Sequence, residues 1–486
     1  MKVTHVSLRP TDAANAAGRP ALTPELLAAT GARYSRSDDG LEAILAKIDP
    51  ENPDKSVDSI FKMVDYGHQS IADMAPVSLF MDGVSLLLAY LAWSLCPVAG
   101  GQESSTRYIR MGAEGLVDAD TLGIPEELRG EWGQAMGDAF KAYAEAVAFW
   151  EGVADANPDI TRIPRKLLDD PSDRAKRAVA RMRRNYAFDR ARYFLPVAAK
   201  TNVMMVQSAR AWVTLCQHLL SHPLPEARKL GGMVRDELAL VAPRLLRHAI
   251  EKPSLVAGQA AEWESWQGTG DDFALVDGEI SESPVEASLD VWEPFEGANS
   301  RFGGDLAHHD NRYAYVGEVL RRTAVRFGWE AVAFAEIRDL NRHRTGTKFC
   351  PLSPVGFYYA LDQLPPTWQS VPPHLSEHSL SERAYFMSET TGSYQDYMAL
   401  ETVGRVASQQ VRHSDTPTGI YFALLGTQFP FEHTTTADKF IYEAELRTGT
   451  GSHYRYAEHL RDALALWYEK YPQTRGLILE GSAEPE

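Results

Sequence analysis

The stretch from Pro76 to Leu91 is apolar on too many faces for a helix at a protein surface, so whatever this chain folds into must bury it. Two local structures satisfy that requirement: a buried strand followed by a buried helix, or one core helix. The most apolar part, Val84 to Leu95, is bounded by Asp82 and Pro97 and is too short to span a bilayer, so no membrane crossing is expected. The chain's 486 residues are enough for two or three domains, each with its own core.

Several segments carry helical patterning. Thr23 and Pro24 have the chemistry of an N-cap and a first helical residue. Helices are expected over Asp58 to Val64, Pro125 to Glu151, Asp173 to Tyr186, Val206 to Leu220, 313 to 344, Glu382 to Val411 and Lys439 to Arg447. A final helix is expected from a Ser452 cap to Tyr468, ended by Pro472. Arg177, Arg181, Arg183 and Arg184 form a basic face that suits either solvent or a phosphate. Between about 255 and 300 the chain turns rich in Glu, Asp, Gly and Ser, which reads as a domain junction, and Trp263, Trp266 and Trp292 imply that it packs against a domain.

The chemistry concentrates in two places. Arg342-His343-Arg344 runs into Thr345-Gly346-Thr347-Lys348, two arginines around a histidine leading to a glycine turn, which makes an anion grip. Far upstream, Glu103-Ser104-Ser105-Thr106-Arg107-Tyr108 places carboxylate, hydroxyl and guanidinium on alternate residues, so in extended backbone Glu103, Ser105 and Arg107 project to one side. Arg-Thr-Gly-Thr occurs at 344 to 347 and again at 447 to 450. These are either two anion-binding nests on positive-φ glycines or two helix-ending turns. His343 and His453 each have a structural and a functional reading; both positions disfavour the imidazolium form, His343 between arginines and His453 in the first turn of a helix.

The net charge of −17 opposes binding to a nucleic-acid polymer, so a polyanionic ligand would be met by local arginines. Three cysteines, Cys96, Cys216 and Cys350, support neither a disulfide framework nor a metal site. The first residues lack the apolar core of a signal peptide, and a cytoplasmic location is expected.

Taken together, Gly67-His68-Gln69-Ser70, the apolar stretch, Glu-x-Ser-x-Arg-Tyr at 103 to 108, Asp189 to Pro196, Arg342-His343-Arg344, and Leu446-Arg447 with His453 resemble the flavin-dependent thymidylate synthases. The resemblance is spread over two diverged tandem halves. Trp93 to Pro97 stands at the Arg-His-Arg position of the first half, and His222-Pro223-Leu224-Pro225 at its helix junction. In the second half Ser353 is out of register, and Pro354-Val355-Gly356 replaces the serine-to-arginine ending.

This resemblance implies an α+β fold of two tandem synthase-like domains, each a mixed sheet with long helices. The expected division is a first copy at 1–255 (nucleotide side), an acidic junction at 256–300, a second copy at 301–475 (flavin side) and a tail at 476–486. It implies C5 methylation of a pyrimidine nucleotide of the dUMP type, with FAD as cofactor and NADPH and methylenetetrahydrofolate as co-substrates. Glu103, Ser105, Arg107 and Arg192 would bind substrate. Arg447 would both bind it and stabilise charge on the ring, and His68, Ser70, Arg342, His343, Arg344 and His453 would contact FAD. No enzyme nucleophile and no metal are required. The family's homotetramer implies a homodimer here, with one composite site per chain. A catalytically degenerate nucleotide- or flavin-binding relative, or a flavoenzyme of another reaction, are the competing expectations.

Overall fold

Ser85 decides how the apolar stretch is built. Its backbone is extended and its side-chain oxygen accepts from the Leu88 amide, so the strand Pro76–Ser85 passes directly into the helix Leu86–Ser94. The computed structural model describes residues 1–37, 40–49, 51–53, 57–58, 69–96, 99–156, 158–161, 163–269, 285–364, 394–449 and 451–482.

Nine strands are described: β1 (Lys2–His5), β2 (Pro76–Ser85), β3 (Gly100–Glu103), β4 (Lys200–Ser208), β5 (Ala287–Trp292), β6 (Ala324–Ala333), β7 (Thr347–Phe349), β8 (Gly356–Phe357) and β9 (Thr427–Thr436). The longer helices are α1 (Pro24–Tyr34), α2 (Leu86–Ser94), α3 (Arg129–Ala156), α4 (Asp173–Ala191), α5 (Ala209–Leu220), α6 (Pro225–Leu238) and α7 (Pro253–Thr269), followed by α8 (Phe334–Leu340), α9 (Tyr394–Arg412), α10 (Ala437–Thr448) and α11 (Tyr454–Lys470). The fold is α+β, as the resemblance implies. Every strand pair among the described residues is antiparallel, so the sheets are not the mixed ones expected.

The chain forms two units that do not follow the expected division near 255 and 300. One comprises Met1–Ser104, Val117–Ile124 and Lys200–Glu264; the other comprises Ser105–Leu116, Pro125–Ala199 and Ser265–Glu486. In the first unit the strand order is β1-β2-β4-β3, with β2 leading into α2 and β4 into α5. Ser85 and its amide are both bound by the buried Glu226 of α6. In the second unit the order is β5-β6-β9-β7, with β8 beside β9; β6 leads into α8 and β9 into α10. The two sheets thus share one plan, down to a bulge near the end of the second strand of each, between Asp82 and Val84 in β2 and between Trp329 and Val332 in β6.

Several local expectations change. Thr23 does cap α1. Residues 324–333, within the stretch expected to be helical from 313 to 344, form a central strand in which buried Val325, Phe327 and Trp329 alternate with exposed Arg326 and Glu330 before Ala331 to Ala333 run buried. Val206 to Ser208 end β4, and the helix starts only at Ala209. The acidic segment is not a bare linker: α7 occupies 253–269, Trp263 packs edge-on to His222, and Ala287–Trp292 is an edge strand. His453, not Ser452, caps α11. Most of Asp58 to Val64, and 382–393 of the Glu382 to Val411 expectation, lie outside the described residues.

The twin Arg-Thr-Gly-Thr segments differ. Gly346 has φ +68, and a Cβ there would sit 2.0 Å from the Thr434 carbonyl oxygen, so glycine lets this turn lie against β9. Gly449 has φ −66, which does not form the expected nest, and Thr450 lies outside the described residues. Gly346→Ala is expected to lower unfolding free energy by about 2 kcal/mol or more, through both strain and overlap. Gly451→Ala, with φ +84 but open space around it, should cost measurably less in the same urea titration.

Candidate functional site

Glu336 and Asp339 are one helical turn apart in α8, so both carboxylates fall on one face of a helix whose seven residues are all buried. Between them sits Arg192, only 1% exposed. Its Nη2 donates to Glu336 Oε1 at 3.0 Å and its Nη1 to Asp339 Oδ2 at 3.0 Å. Arg192 is held in place by the backbone around it, since the amides of Val197, Leu425 and Gly426 bond to carbonyls of Ala423, Leu195 and Tyr193. Arg192, expected from the sequence to bind phosphate, thus has two of its three nitrogens engaged by buried carboxylates.

Three more guanidiniums surround the same carboxylate. Burial alone would raise the Asp339 carboxyl, but Arg192, Arg342, Arg447 and Arg107 outweigh it and hold Asp339 far below the ordinary carboxylate range. Arg342, at the end of α8 and exposed, reaches Asp339 Oδ1 at 3.8 Å. Arg447 donates from Nη2 to the Asp339 carbonyl at 2.9 Å and from Nε to His343 Nε2 at 2.6 Å. Arg107 makes a bidentate pair with Asp189, Nε to Oδ1 at 2.7 Å and Nη2 to Oδ2 at 2.9 Å. Glu336 shares Arg192 yet moves the other way: burial is the larger effect, and its carboxyl is pushed up to about 7.

The two histidines are spent inside the protein. His343 accepts from Arg447 and is buried; burial and its cationic neighbours take it down to about 3, against the opposing pull of Glu443. Arg447 therefore faces a neutral ring. His453 is fully buried, with Nε2 donating to the Asp189 carbonyl at 3.1 Å and Nδ1 accepting from the Arg455 amide at 3.2 Å. That pair of bonds fixes one neutral tautomer, and burial and two arginines keep the imidazolium away. Both expected FAD contacts, His343 and His453, are thus buried, His343 bonded to Arg447 and His453 to the Asp189 carbonyl.

The other expected residues fall as follows. Extended backbone stops at Glu103, the last residue of β3 in the first unit, and Arg107 lies in a turn of the second unit. Ser105 Oγ accepts from the Arg107 amide at 3.2 Å, so Ser105 shapes that turn and does not project in line with Glu103. Arg344 is half-buried beside the Gly346 turn. Ser70 is exposed in the 3₁₀ segment Gln69–Met74 of the first unit, and His68 lies outside the described residues. The second unit therefore brings together Arg107, Arg192, Arg342, His343, Arg447 and His453, and with them Asp189, Glu336 and Asp339, which motif reading passed over. The signal for the two acids was present as Glu336-Ile337-Arg338-Asp339, an i, i+3 carboxylate pair just before Arg342.

Four guanidiniums against Asp189, Asp339 and a Glu336 that is only partly ionised near neutral pH leave an excess of positive charge. This donor set fits a phosphate or another anion, including the phosphates of a flavin dinucleotide. No group of three or more His, Cys, Asp or Glu among the described residues is arranged to hold a metal ion. No helix among them is long and apolar enough to cross a membrane.

Asp339→Asn should destabilise the protein at pH 7 by about 3–5 kcal/mol, because it leaves buried guanidiniums without their counter-charge. Asp339 has a depressed folded-state value, so the deficit should persist above the unfolded value of about 3.9 and fade only as pH falls below it. Glu336 has the opposite sign: the intact protein should lose stability as pH rises from about 4.3 toward 7, and Glu336→Gln should abolish that slope. Urea titrations across this range check both.

A family model described as thymidylate synthase complementing protein matches residues 21–244. A UPF0159 protein of Thermoplasma acidophilum is 22% identical over 240 residues, covering 45% of this chain, which spans about half (48%) of that relative. A UPF0159 protein of Chlamydia pneumoniae is 24% identical over 371 residues, covering 65% of this chain and 67% of its own. A flavin-dependent thymidylate synthase of Clostridium tetani is 23% identical over 240 residues, 49% of this chain and 86% of that protein. Among solved structures, a flavin-dependent thymidylate synthase of Helicobacter pylori complexed with FAD and dUMP matches at 15% identity and TM-score 0.32, covering 52% of this chain and 100% of that one. A UMP/dUMP methylase of Streptomyces cacaoi bound with 5-Br dUMP matches at 14% identity and TM-score 0.31, covering 51% and 93%. Residues 21–244, the segment that also supplies Arg107, Asp189 and Arg192 to the cluster, are thus similar to the thymidylate synthase complementing protein family over a little less than half of the chain.

Proposed function

We propose that this chain is a flavin-dependent methyltransferase that binds a pyrimidine nucleotide at the arginine cluster of the second unit and methylates C5 of a dUMP-type ring. One observation carries the reading: Arg107 from the first half of the sequence and Arg342 and Arg447 from the second converge on one buried carboxylate. The shared strand order of the two units supports a tandem origin, and with it a composite site of which the first half brings Arg107 and the second brings Arg342 to Arg344 and Arg447.

In this reading Arg107 receives the nucleotide phosphate, with Asp189 fixing its plane. Arg447 is clamped through Nε and Nη2, so its orientation is set before substrate arrives, and it stabilises negative charge that develops on the pyrimidine as C5 becomes nucleophilic. FAD, when bound, supplies the redox chemistry that converts a methylene from methylenetetrahydrofolate into a methyl group, with NADPH as the source of reducing equivalents. Arg342 and Arg344 are the proposed contacts for its phosphates, and His68, Ser70 and Glu103 remain proposed ligand contacts of the first unit. The assembly proposed is a homodimer with one FAD per chain.

The visible spectrum of the purified protein, with chromatography of what heat releases, tests this first. Flavin bands at one FAD per chain support it, and a colourless protein that takes up no added FAD refutes the flavin part. Arg447→Ala should then lower the rate of methyl transfer to dUMP by about 10²–10³-fold with flavin content unchanged. A protein that binds dUMP and has no turnover to lose would be a binding relative.

A further inference from the structure

From the buried Glu336 an unbroken line of hydroxyls leads outward through the second unit. Tyr193 Oη donates to Glu336 Oε1 at 2.9 Å, and Tyr454 Oη donates to Tyr193 Oη at 3.2 Å. Tyr358 Oη lies 3.3 Å from Tyr454 Oη and donates to Asp362 Oδ1 at 2.6 Å. Glu336 is 0% exposed, whereas the Asp362 side chain is 39% exposed. We propose that Glu336 exchanges its proton with water through Tyr193, Tyr454, Tyr358 and Asp362, so that the arginine cluster takes up a proton together with an anionic ligand. The ligand part rests on the reading that this cluster binds a nucleotide.

The hydrogen count fits a relay. At rest Tyr454 points its proton at Tyr193 and Tyr358 points its proton at Asp362, so no hydrogen lies between Tyr358 and Tyr454. When Asp362 takes a proton from water it becomes a donor to Tyr358, which is then free to donate to Tyr454. Each hydroxyl now accepts one proton and passes on its own: Asp362 to Tyr358, Tyr358 to Tyr454, Tyr454 to Tyr193, Tyr193 to Glu336. The products are ionised Asp362, neutral Glu336 and three neutral tyrosines, with no tyrosinate formed. Arg455 Nη1 donates to Asp362 Oδ2 at 3.1 Å, which leaves Oδ1 as the oxygen that faces Tyr358.

The inner end is set for neutral pH. Burial pushes Glu336 up to about 7, opposed by Arg192 and Arg455 and by the hydrogen bond from Tyr193; Asp339 is the neighbouring acid on its own helix. Among the described residues Glu336 Oε2 has no hydrogen-bond partner, so a proton there displaces no bond seen in the structure. An anion arriving at Arg107, Arg342 and Arg447 offsets their positive field and favours the protonated acid. Uptake of a proton then restores the charge balance.

Infrared titration of the full chain tests the relay without any ligand. A protonated-carboxyl band should titrate near neutral pH and be missing in Glu336→Gln. After a pH jump it should re-equilibrate about a hundredfold more slowly in Tyr454→Phe than in the intact protein. Phenylalanine keeps the ring over which Arg190 lies, and Tyr358→Phe breaks the next link should the first variant fail to fold. Tyr468→Phe, off the path, should keep the original rate. Unchanged kinetics in both path variants, or no such band, overturns the proposal. Calorimetry with dUMP at pH 7 in two buffers of different ionisation enthalpy should show proton uptake that Glu336→Gln loses. Binding without uptake overturns the coupling and leaves the nucleotide reading intact. Failure of dUMP to bind refutes the nucleotide reading, while the infrared kinetics still decide the relay.

Discussion

One carboxylate among four guanidiniums sets the electrostatics of the second unit. A buried Asp339 would ordinarily be a liability, since taking its charge out of water costs more than a single pair returns. Here the cost is met several times over, by Arg192 at one oxygen, Arg342 near the other, and the fields of Arg447 and Arg107. The converse matters as much. The arginines can be packed close together only because Asp339 and Asp189 lie between them, and the charge that remains is available to an anion.

A layer of neutral polar groups keeps the geometry fixed. His343 and His453 have one protonation state each, imposed by burial and by the bonds at both ends of the ring or beside it. Neither ring swings or charges within the physiological range, so Arg447 is held by a partner that does not compete for its counter-ions. Behind His343, Glu443 is buried at 3.0 Å from His433 Nδ1, and its carboxyl is held below the ordinary range against its burial, with Lys348 among the groups that offset it.

Much of the architecture was legible from residues alone, and the exceptions have physical causes. Thr23-Pro24 announced a helix start because capping is local chemistry, and Pro76 to Leu91 announced burial because no surface helix is apolar all round. Residues 324–333 hide a strand because the alternation of Val325, Phe327 and Trp329 with Arg326 and Glu330 is short and breaks at the bulge, after which a buried apolar run leads straight into α8. At the site, arginines were visible as motifs, but their partners were not: whether Arg192 meets substrate or Glu336 depends on α8 lying beside it, which is tertiary information. The same is true of the histidines. A ring in a motif shows which chemistry it can do, and only its neighbours show that both nitrogens of His453 and Nε2 of His343 are already bonded.

The way the chain is shared between its units has a consequence for synthesis. The first unit has all its residues once Glu264 has left the ribosome, but residues 105–116 and 125–199 belong to the unit that ends at the C-terminus. The long helices α3 and α4 can pack on each other early, but the face of α3 that carries Phe149 and Trp150 must wait for Tyr397 of α9. The nascent protein therefore carries an uncovered apolar face for the time needed to translate about two hundred more residues, at about 5–20 residues per second. Folding of this molecule is an ordered delay, and its yield in a cell will be governed by what shields those helices meanwhile.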